Sequence, residues 1–276
     1  MNEKYFFACP VCKGKMLDKI KSVECENGHC FDKAKQGYVN LLLSQKSSKS
    51  HHGDDRLMIE ARQSFLDKGY YKSLCNSVAE TVLNHAFEGC VILDAGCGDG
   101  YYLSSICTLL KSNSINASVG ALDISKEAVK YTLRRINGIS GAVGSVFSLP
   151  IKDNSVDILL NIFSPMASEE YRRVIGSGGV LISVTPGEEH LFELKKAVYD
   201  NPLKNDSTEK TLDGFTVESE TRLTNTIEID NNEDLLNLFM MTPYYYKTGI
   251  DDQNKLKKLN RLTTQTVFDI TVYKKN

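Results

Sequence analysis

Between Cys90 and Asp200 the chain alternates wholly apolar runs with amphipathic ones, and this alternation leaves few folds open. "CVILDAG", "SVGALD", "GAVGSV", "SVDILLNIF" and "GGVLISVTP" read as strands. Asp99 to Lys111, "SKEAVKYTLRRI" with Ser125 as its cap, "SEEYRRVI" and "EEHLFELKKAVYD" read as helices. Strands that are apolar along their whole length must be buried on both faces. A parallel sheet covered by helices on both sides does this, which makes the fold class α/β.

The segments on either side differ. "DDRLMIEARQSFLDKGYY" predicts a helix capped by Asp54 or Asp55, with Met58, Ala61 and Phe65 on one face and Gly69 at its end. "YYKSLCNSVAETVLNHAF" repeats the pattern through Leu74, Val78 and Val82. Near the C-terminus, "GFTVESETRL" and "TTQTVFDITVYKK" alternate with period two, as edge or antiparallel strands do.

The first strand of the alternation runs into a glycine loop, "VILDAGCGDGYYL", and then a helix. Gly96, Gly98 and Gly100 let the backbone turn sharply and come close to a ligand. A dinucleotide site would use G-x-G-x-x-G, but Tyr101 stands where its third glycine would be. The spacing G-x-G-x-G, preceded by Asp94, is a signature of S-adenosylmethionine (SAM) binding, where no pyrophosphate needs cradling. The next strand ends in Asp123, whose carboxylate can accept hydrogen bonds from both ribose hydroxyls. In "GSVFSLP", Ser145 and the backbone of Val146 stand where many SAM enzymes hold the adenine. These pieces, in this order, predict a Rossmann-like class I SAM-dependent methyltransferase.

After the fourth strand comes "NIFSPM". Enzymes that methylate exocyclic amines often carry Asn or Asp, then Pro-Pro and an aromatic. Asn161 is in place but Pro-Pro is missing, which points toward a ring nitrogen, a carbon or an oxygen as acceptor. Phe163 could stack on a base. No side chain declares itself as a general base.

The first thirty residues hold Cys9, Cys12, Cys25 and Cys30, with His29 beside the last. C-x2-C-x12-C-x3-H and C-x2-C-x12-C-x4-C both suit a tetrahedral zinc site, and spacing favours neither. Residues 1–45 read as a small zinc-binding module that needs a metal staple. Residues 46–56, in the polar run "SQKSSKSHHGDDR", read as a linker, and 57–276 as the methyltransferase domain. Cys75, Cys90, Cys97 and Cys107 sit among apolar neighbours and read as packing residues.

A net charge of −2 excludes a chain that coats nucleic acid generally, while leaving room for a local basic patch. No apolar run reaches the length of a membrane span, and "MNEKYFFACP" is too short in apolar residues for a secretory signal. A cytoplasmic protein with reduced cysteines is expected.

"CPVCKGKM", "CENGHCFDKAKQGYVNLL", "ARQSFLDKGYY", "LDAGCGDGYY", "TPGEEHLFELK" and "MTPYYYK" together resemble the bacterial large-subunit rRNA guanine-N1 methyltransferase family. The resemblance covers nearly the whole chain. It implies His29 as the fourth zinc ligand after Cys9, Cys12 and Cys25, with Cys30 a bystander. It implies SAM contacts at Tyr71, at the Gly100–Tyr101 pair and at His190, and it accommodates Ser145. It also implies a zinc module that helps recognise RNA, a 23S rRNA hairpin near the peptide exit tunnel as substrate, and a homodimer. Members of the family target two neighbouring guanines, and one branch is linked to macrolide (tylosin) resistance.

The expected reaction is therefore methylation of guanine N1 in a 23S rRNA hairpin loop, with Lys33, Lys35, Lys46 and Lys49 as phosphate contacts. The linker supplies lysines but no arginine before Arg56. A small-molecule methyltransferase would leave the zinc module and these lysines without a task. A non-catalytic SAM-responsive zinc protein would bind nucleic acid without turnover.

Overall fold

The computed structural model describes residues 5–43, 53–206 and 210–276. Lys46 and Lys49, with most of the expected linker, lie outside the described residues.

The chain opens with three short antiparallel strands, β1 (Met16–Asp18), β2 (Ser22–Cys25) and β3 (Cys30–Asp32). A turn after Asp18 separates β1 from β2. The fourth strand, β4 (Val39–Asn40), leaves this group. It pairs in parallel with β7 (Ser140–Val143) through Val39–Ala142 and Asn40–Val143 and forms an edge of the large sheet. A strand within residues 1–45, read from the sequence as the zinc module, therefore pairs into the large sheet.

Helix α1 (Arg56–Leu66) is capped by Asp55, which accepts the N–H of Met58 at 2.9 Å. Helix α2 (Lys72–His85) buries Leu74, Val78 and Val82, as the spacing predicts. Next come β5 (Val91–Ala95), α3 (Tyr101–Ser112), β6 (Ser118–Asp123), α4 (Lys126–Arg135) and β7. Beyond β7 lie β8 (Val156–Ile162), α5 (Ser168–Val174), β9 (Ile175–Pro186) and α6 (Phe192–Val198). The chain ends with β10 (Phe215–Ile229), α7 (Asn232–Met240), α8 (Ile250–Leu256) and β11 (Leu262–Lys275).

The sheet order is β10-β11-β9-β8-β5-β6-β7-β4. Strands β4 to β9 pair in parallel, while β11 runs antiparallel to β9 and β10 antiparallel to β11, matching the period-two patterns at the C-terminus.

The two faces of the sheet are covered differently. One carries helices whose apolar residues, such as Phe65, Leu74, Leu103, Val129 and Phe239, join one core. On the other face, the crossover from β7 to β8 holds only a short 3-10 turn, Val146–Ser148, where an α/β unit would place a helix. The N-terminal segment fills that space. Tyr5, Phe7, Met16 and Val23 pack with Leu93, Leu122, Leu149 and Ile151 in a second core. Gly120 in β6 makes room for the Phe6 ring, into which a Cβ at that position would run. Tyr5 Oη donates to the Gly141 carbonyl at 3.3 Å and the Ala8 N–H to that of Pro150 at 2.7 Å. Phe7, Met16 and Val23 are each fully buried, which stabilises the assembly by roughly 1.5–3 kcal/mol apiece. The small module thus shares its core with the sheet. Among the described residues no helix is long and apolar enough to cross a membrane.

Candidate functional site

In an open parallel sheet, ligands bind beyond the carboxyl ends of the strands, where the strand order reverses. Here the order reverses between β5 and β8. The loops after β5, β6 and β8 meet at that crevice and carry most of the residues singled out above.

The loop after β5 is held in left-handed backbone geometry, with φ of 97°, 54° and 77° at Gly96, Gly98 and Gly100. Only glycine adopts a run of such angles cheaply. A Cβ on Gly96 would collide with the Ser164 side chain, and one on Gly100 would lie 3.0 Å from Thr132. The loop is pinned from β6, where Asp123 Oδ2 accepts the Gly98 N–H at 3.0 Å and Oδ1 accepts the Ser125 N–H at 2.8 Å. Asp123 thus stands at the end of its strand, as a ribose-binding carboxylate requires. Tyr101 opens α3 with its ring buried, 5.8 Å from the Arg135 guanidinium, and its N–H reaches Asp99 Oδ1 at 3.4 Å.

Asp94, at the end of β5, is buried, and its Oδ1 meets no partner among the described residues. Burial first, then the nearby Asp123 and Asp99 charges, push its carboxyl up to about 7. Tyr71 Oη is buried and likewise has no partner among the described residues. Unpaired buried polar atoms are costly and rare, so two of them at one crevice mark the place of a polar ligand.

Tyr71 belongs to an aromatic wall. The Phe268 ring of β11 lies 4.9 Å from that of Tyr71, 4.6 Å from His190 and 5.7 Å from Phe163, and Tyr102 lies 6.2 Å from Phe163. His190 is buried, and its Nδ1 accepts the Val267 N–H at 3.2 Å. Burial, then the Lys195 charge, hold its imidazole down at about 3. The ring is neutral, and the bond at Nδ1 assigns the proton to Nε2. Phe163 stands at the rim with φ of 53°, a left-handed geometry that is costly for a bulky residue, and its ring is part-exposed.

Two of the residues singled out in the sequence make local hydrogen bonds. The Asn161 amide donates to the carbonyls of Ser164 and Pro165 at 3.2 and 3.1 Å and to Tyr171 Oη at 2.9 Å, so it shapes the loop after β8. Ser145 Oγ accepts the Phe147 N–H at 3.2 Å and caps the 3-10 turn, and the adjoining Val146 is buried.

Two features were illegible in the sequence. Asp99 is buried and paired with Arg135 Nη2 at 2.8 Å, and Arg62 of α1 reaches the glycine loop. Helical periodicity could place both arginines on helices but could not say that they converge. Phe268 was visible only as one apolar position in an alternating strand.

At the other end of the chain, ligand atoms of Cys9, Cys12, Cys25 and His29 all lie within 4.8 Å of one another. Cys12 and Cys25 sulfurs are 3.7 Å apart, and His29 Nδ1 is 3.2 Å from Cys25 Sγ and 3.6 Å from Cys9 Sγ. Tetrahedral Zn2+ with ordinary Zn–S and Zn–N bonds needs edges of roughly 3.5–3.8 Å, so the donor set and its spacing fit zinc. Cys30 opens β3, is exposed, and lies outside the cluster.

Comparison with known proteins agrees with this geometry. A zinc-ribbon family described as "RlmA, N-terminal" matches residues 7–49, and a family described as "Methyltransferase domain" matches residues 86–261. A 23S rRNA (guanine(748)-N(1))-methyltransferase from Streptomyces fradiae is 36% identical over 197 residues, 70% of this chain and 68% of its own length. The chain belongs to the 23S rRNA (guanine-N1)-methyltransferase family. A protein named putative 23S rRNA (guanine-N(1)-)-methyltransferase YxjB, from Bacillus subtilis (strain 168), is 29% identical and aligns over 96% of both chains. The YcgJ protein of Bacillus subtilis shares the fold, with a TM-score of 0.51 over 73% of this chain and 98% of that one at 12% identity. Family membership agrees with a SAM site at the crevice and zinc in the cysteine–histidine cluster.

Proposed function

We propose that this protein transfers a methyl group from SAM to N1 of a guanine in 23S rRNA. The observation that carries the reading is the crevice after β5: two buried unpartnered polar atoms, Asp94 Oδ1 and Tyr71 Oη, beside an aromatic wall, in a chain of this family.

The chain's own groups suit the task. Asp94 offers an ionisable carboxylate to the cofactor's ammonium, and Asp123 has lone pairs left for ribose hydroxyls. The Gly100–Tyr101 turn, Ser145 and Val146 line the remaining cofactor contacts, while Asn161 shapes the loop opposite. Tyr71 Oη and His190 Nε2–H supply donors that burial keeps neutral. Bound SAM supplies an electrophilic methyl group on a sulfonium. The protein's part is to hold guanine N1 in line with it and to exclude water. The proton on N1 must leave as the new N–C bond forms. Phe163, part-exposed beside Phe268 and Tyr102, offers its ring face to the base.

The zinc module supports an RNA substrate. It carries a groove of about 690 Å³ lined by Ile20, Lys21, Asp32, Lys33, Ala34, Lys35 and Gly37. Lys33 pairs with Asp18, so Lys21 and Lys35 are the better phosphate contacts. The finer reading is a cytoplasmic enzyme acting on a hairpin loop, with two copies of the chain clamping one RNA. Primer extension on unmodified 23S rRNA incubated with protein and SAM tests it, because a methyl on guanine N1 blocks reverse transcription. One new SAM-dependent stop in a hairpin supports the reading and names the nucleotide. Tight SAM binding with no stop would move the substrate away from rRNA, toward a small molecule. Sedimentation with and without RNA tests the dimer.

A further inference from the structure

The glycine loop has a cation against it to which the reading above gives no task. Among the described residues, chain neighbours aside, Arg62 Nη1 is the one atom within 4 Å of a Cβ built on Gly98, at 3.3 Å. Arg62 Nη2 pairs with Asp54 Oδ2 at 2.6 Å. The guanidinium is thus held by one edge at the start of α1 and presents another to the loop. Its fixed fork of five N–H donors suits a second carboxylate alongside the first.

The chemistry of that second partner follows from charge. SAM carries a sulfonium, an ammonium and a carboxylate. The crevice is rich in acids: Asp94, Asp99 and Asp123 all act on one another or on Arg62. Two cationic groups are at home there, but a carboxylate is not unless a cation meets it. Arg135 is occupied by Asp99 and Asp67, at 2.8 and 2.7 Å. Arg62 is the cation whose Nη1 edge faces the loop. We propose that Arg62 receives the α-carboxylate of the cofactor on its Nη1 edge while Asp54 orients it from the other.

The arrangement accounts for Gly98 twice over, because φ of 54° and the approach of Arg62 both disfavour a side chain there. It also links two subsites. The Asp54 carbonyl accepts Ser125 Oγ at 2.8 Å, and the Ser125 N–H is held by Asp123. The residue that orients the carboxylate receptor is thus tied to the turn that carries the ribose carboxylate.

The inference rests on the SAM reading of the crevice, and calorimetry separates the two. The probes are S-adenosylhomocysteine and its decarboxylated analogue, which lacks only the carboxylate. The unaltered protein should prefer the former by roughly 10- to 100-fold, the range of a charge-assisted hydrogen bond. Arg62→Gln should bring that ratio close to one, chiefly by weakening the carboxylate-bearing ligand. Should Arg62→Gln not fold, two milder variants decide. Arg62→Lys should lower the ratio partway, and Asp54→Asn, which loosens the anchor on the guanidinium, should lower it too. An unchanged ratio in the folded variants, or equal weakening of both ligands, would overturn the role of Arg62. Failure of the unaltered protein to bind either ligand would instead overturn the SAM reading.

Discussion

Asp123 Oδ2 accepts the Gly98 N–H at 3.0 Å, so the carboxylate at the end of β6 holds the glycine loop that follows β5. One side chain thereby sets the loop geometry and, on the reading proposed above, also receives the ribose. Removing the acid should damage both.

Asp123→Ala should weaken S-adenosylhomocysteine binding by roughly 100-fold or more, because the Gly98 and Ser125 amides lose a charged acceptor along with the ribose contact. Asp123→Asn keeps one acceptor oxygen and should lose less. Calorimetric titration of both variants measures the difference. Equal, slight losses would remove Asp123 from the cofactor site.

Much of this site was legible because its parts are local in sequence. Gly96, Gly98, Gly100 and Asp94 lie on one turn, and the Asp123 and Ser125 pattern marks a strand end and a helix cap. The caps at Asp55 and Ser125 were readable for the same reason. Long-range pairings were not. Arg135 meets Asp67 across 68 positions, and Phe268 reaches His190 from the final strand. Helix α7 has only 9 residues, so its buried Leu235, Leu238 and Phe239 make too short a pattern to announce a helix, although Asn231 caps it. The helix expected over "EEHLFELKKAVYD" begins only at Phe192, because Leu191 takes a left-handed φ of 55°. The shared core under the zinc module could not be read at all: nothing in "YFFAC" says which sheet face it covers.

That shared core gives the zinc cluster a consequence for the whole chain. Cys25→Ser removes a buried ligand and should abolish zinc retention, lowering the melting temperature of the methyltransferase part along with the module. Cys30→Ser changes an exposed thiol outside the cluster and should leave zinc content and melting unchanged. Metal analysis and calorimetric melting check both. Two separate transitions, the larger unmoved by zinc loss, would show that the shared core contributes little.

If Asp94 meets the cofactor's ammonium as proposed, binding should depend on pH. Its folded carboxyl, raised to about 7, keeps a proton that the unfolded chain releases near its ordinary value of 3.8. In the ligand-free protein the ionised form is therefore a cost that grows as pH rises from 3.8 through 7. An ammonium at Oδ1 offsets that cost, so S-adenosylhomocysteine affinity should climb from about pH 6 and level off above about pH 7.5. Asp94→Asn should bind weakly, with no such rise. A flat profile in the unaltered protein would show that the carboxylate is ionised without the ligand.

His190 acts in the opposite sense on stability. Its folded imidazole titrates at about 3, below its ordinary 6.5, so the stability it contributes is complete above 6.5 and is lost as pH falls toward 3. His190→Asn keeps an acceptor for the Val267 N–H and cannot protonate in that window, so its melting temperature should fall less on acidification. His190→Leu leaves that N–H buried and unpaired, at a cost of about 1–3 kcal/mol at neutral pH. Thermal melts at several pH values distinguish the three proteins. Parallel pH profiles for the asparagine variant and the parent would show that His190 is not the titrating group.

A change at Phe163 tests the base site apart from the cofactor site. If its rim-facing ring stacks on the target guanine, Phe163→Ala should lower kcat/KM for rRNA by roughly 5- to 150-fold, the value of one stacked base. Affinity for S-adenosylhomocysteine should stay within about twofold, because Phe163 is not among the proposed cofactor contacts. Phe163→Trp should retain most activity, since an aromatic face remains. The backbone supplies a control. At φ of 53° the residue sits where glycine is at ease, so Phe163→Gly should melt no lower than Phe163→Ala despite glycine's greater freedom in the unfolded chain. A glycine variant that is well folded, binds the cofactor normally and methylates rRNA poorly would place the ring on the substrate. Full activity in that variant would make Phe163 a packing residue only, supported by Phe268 and Tyr102.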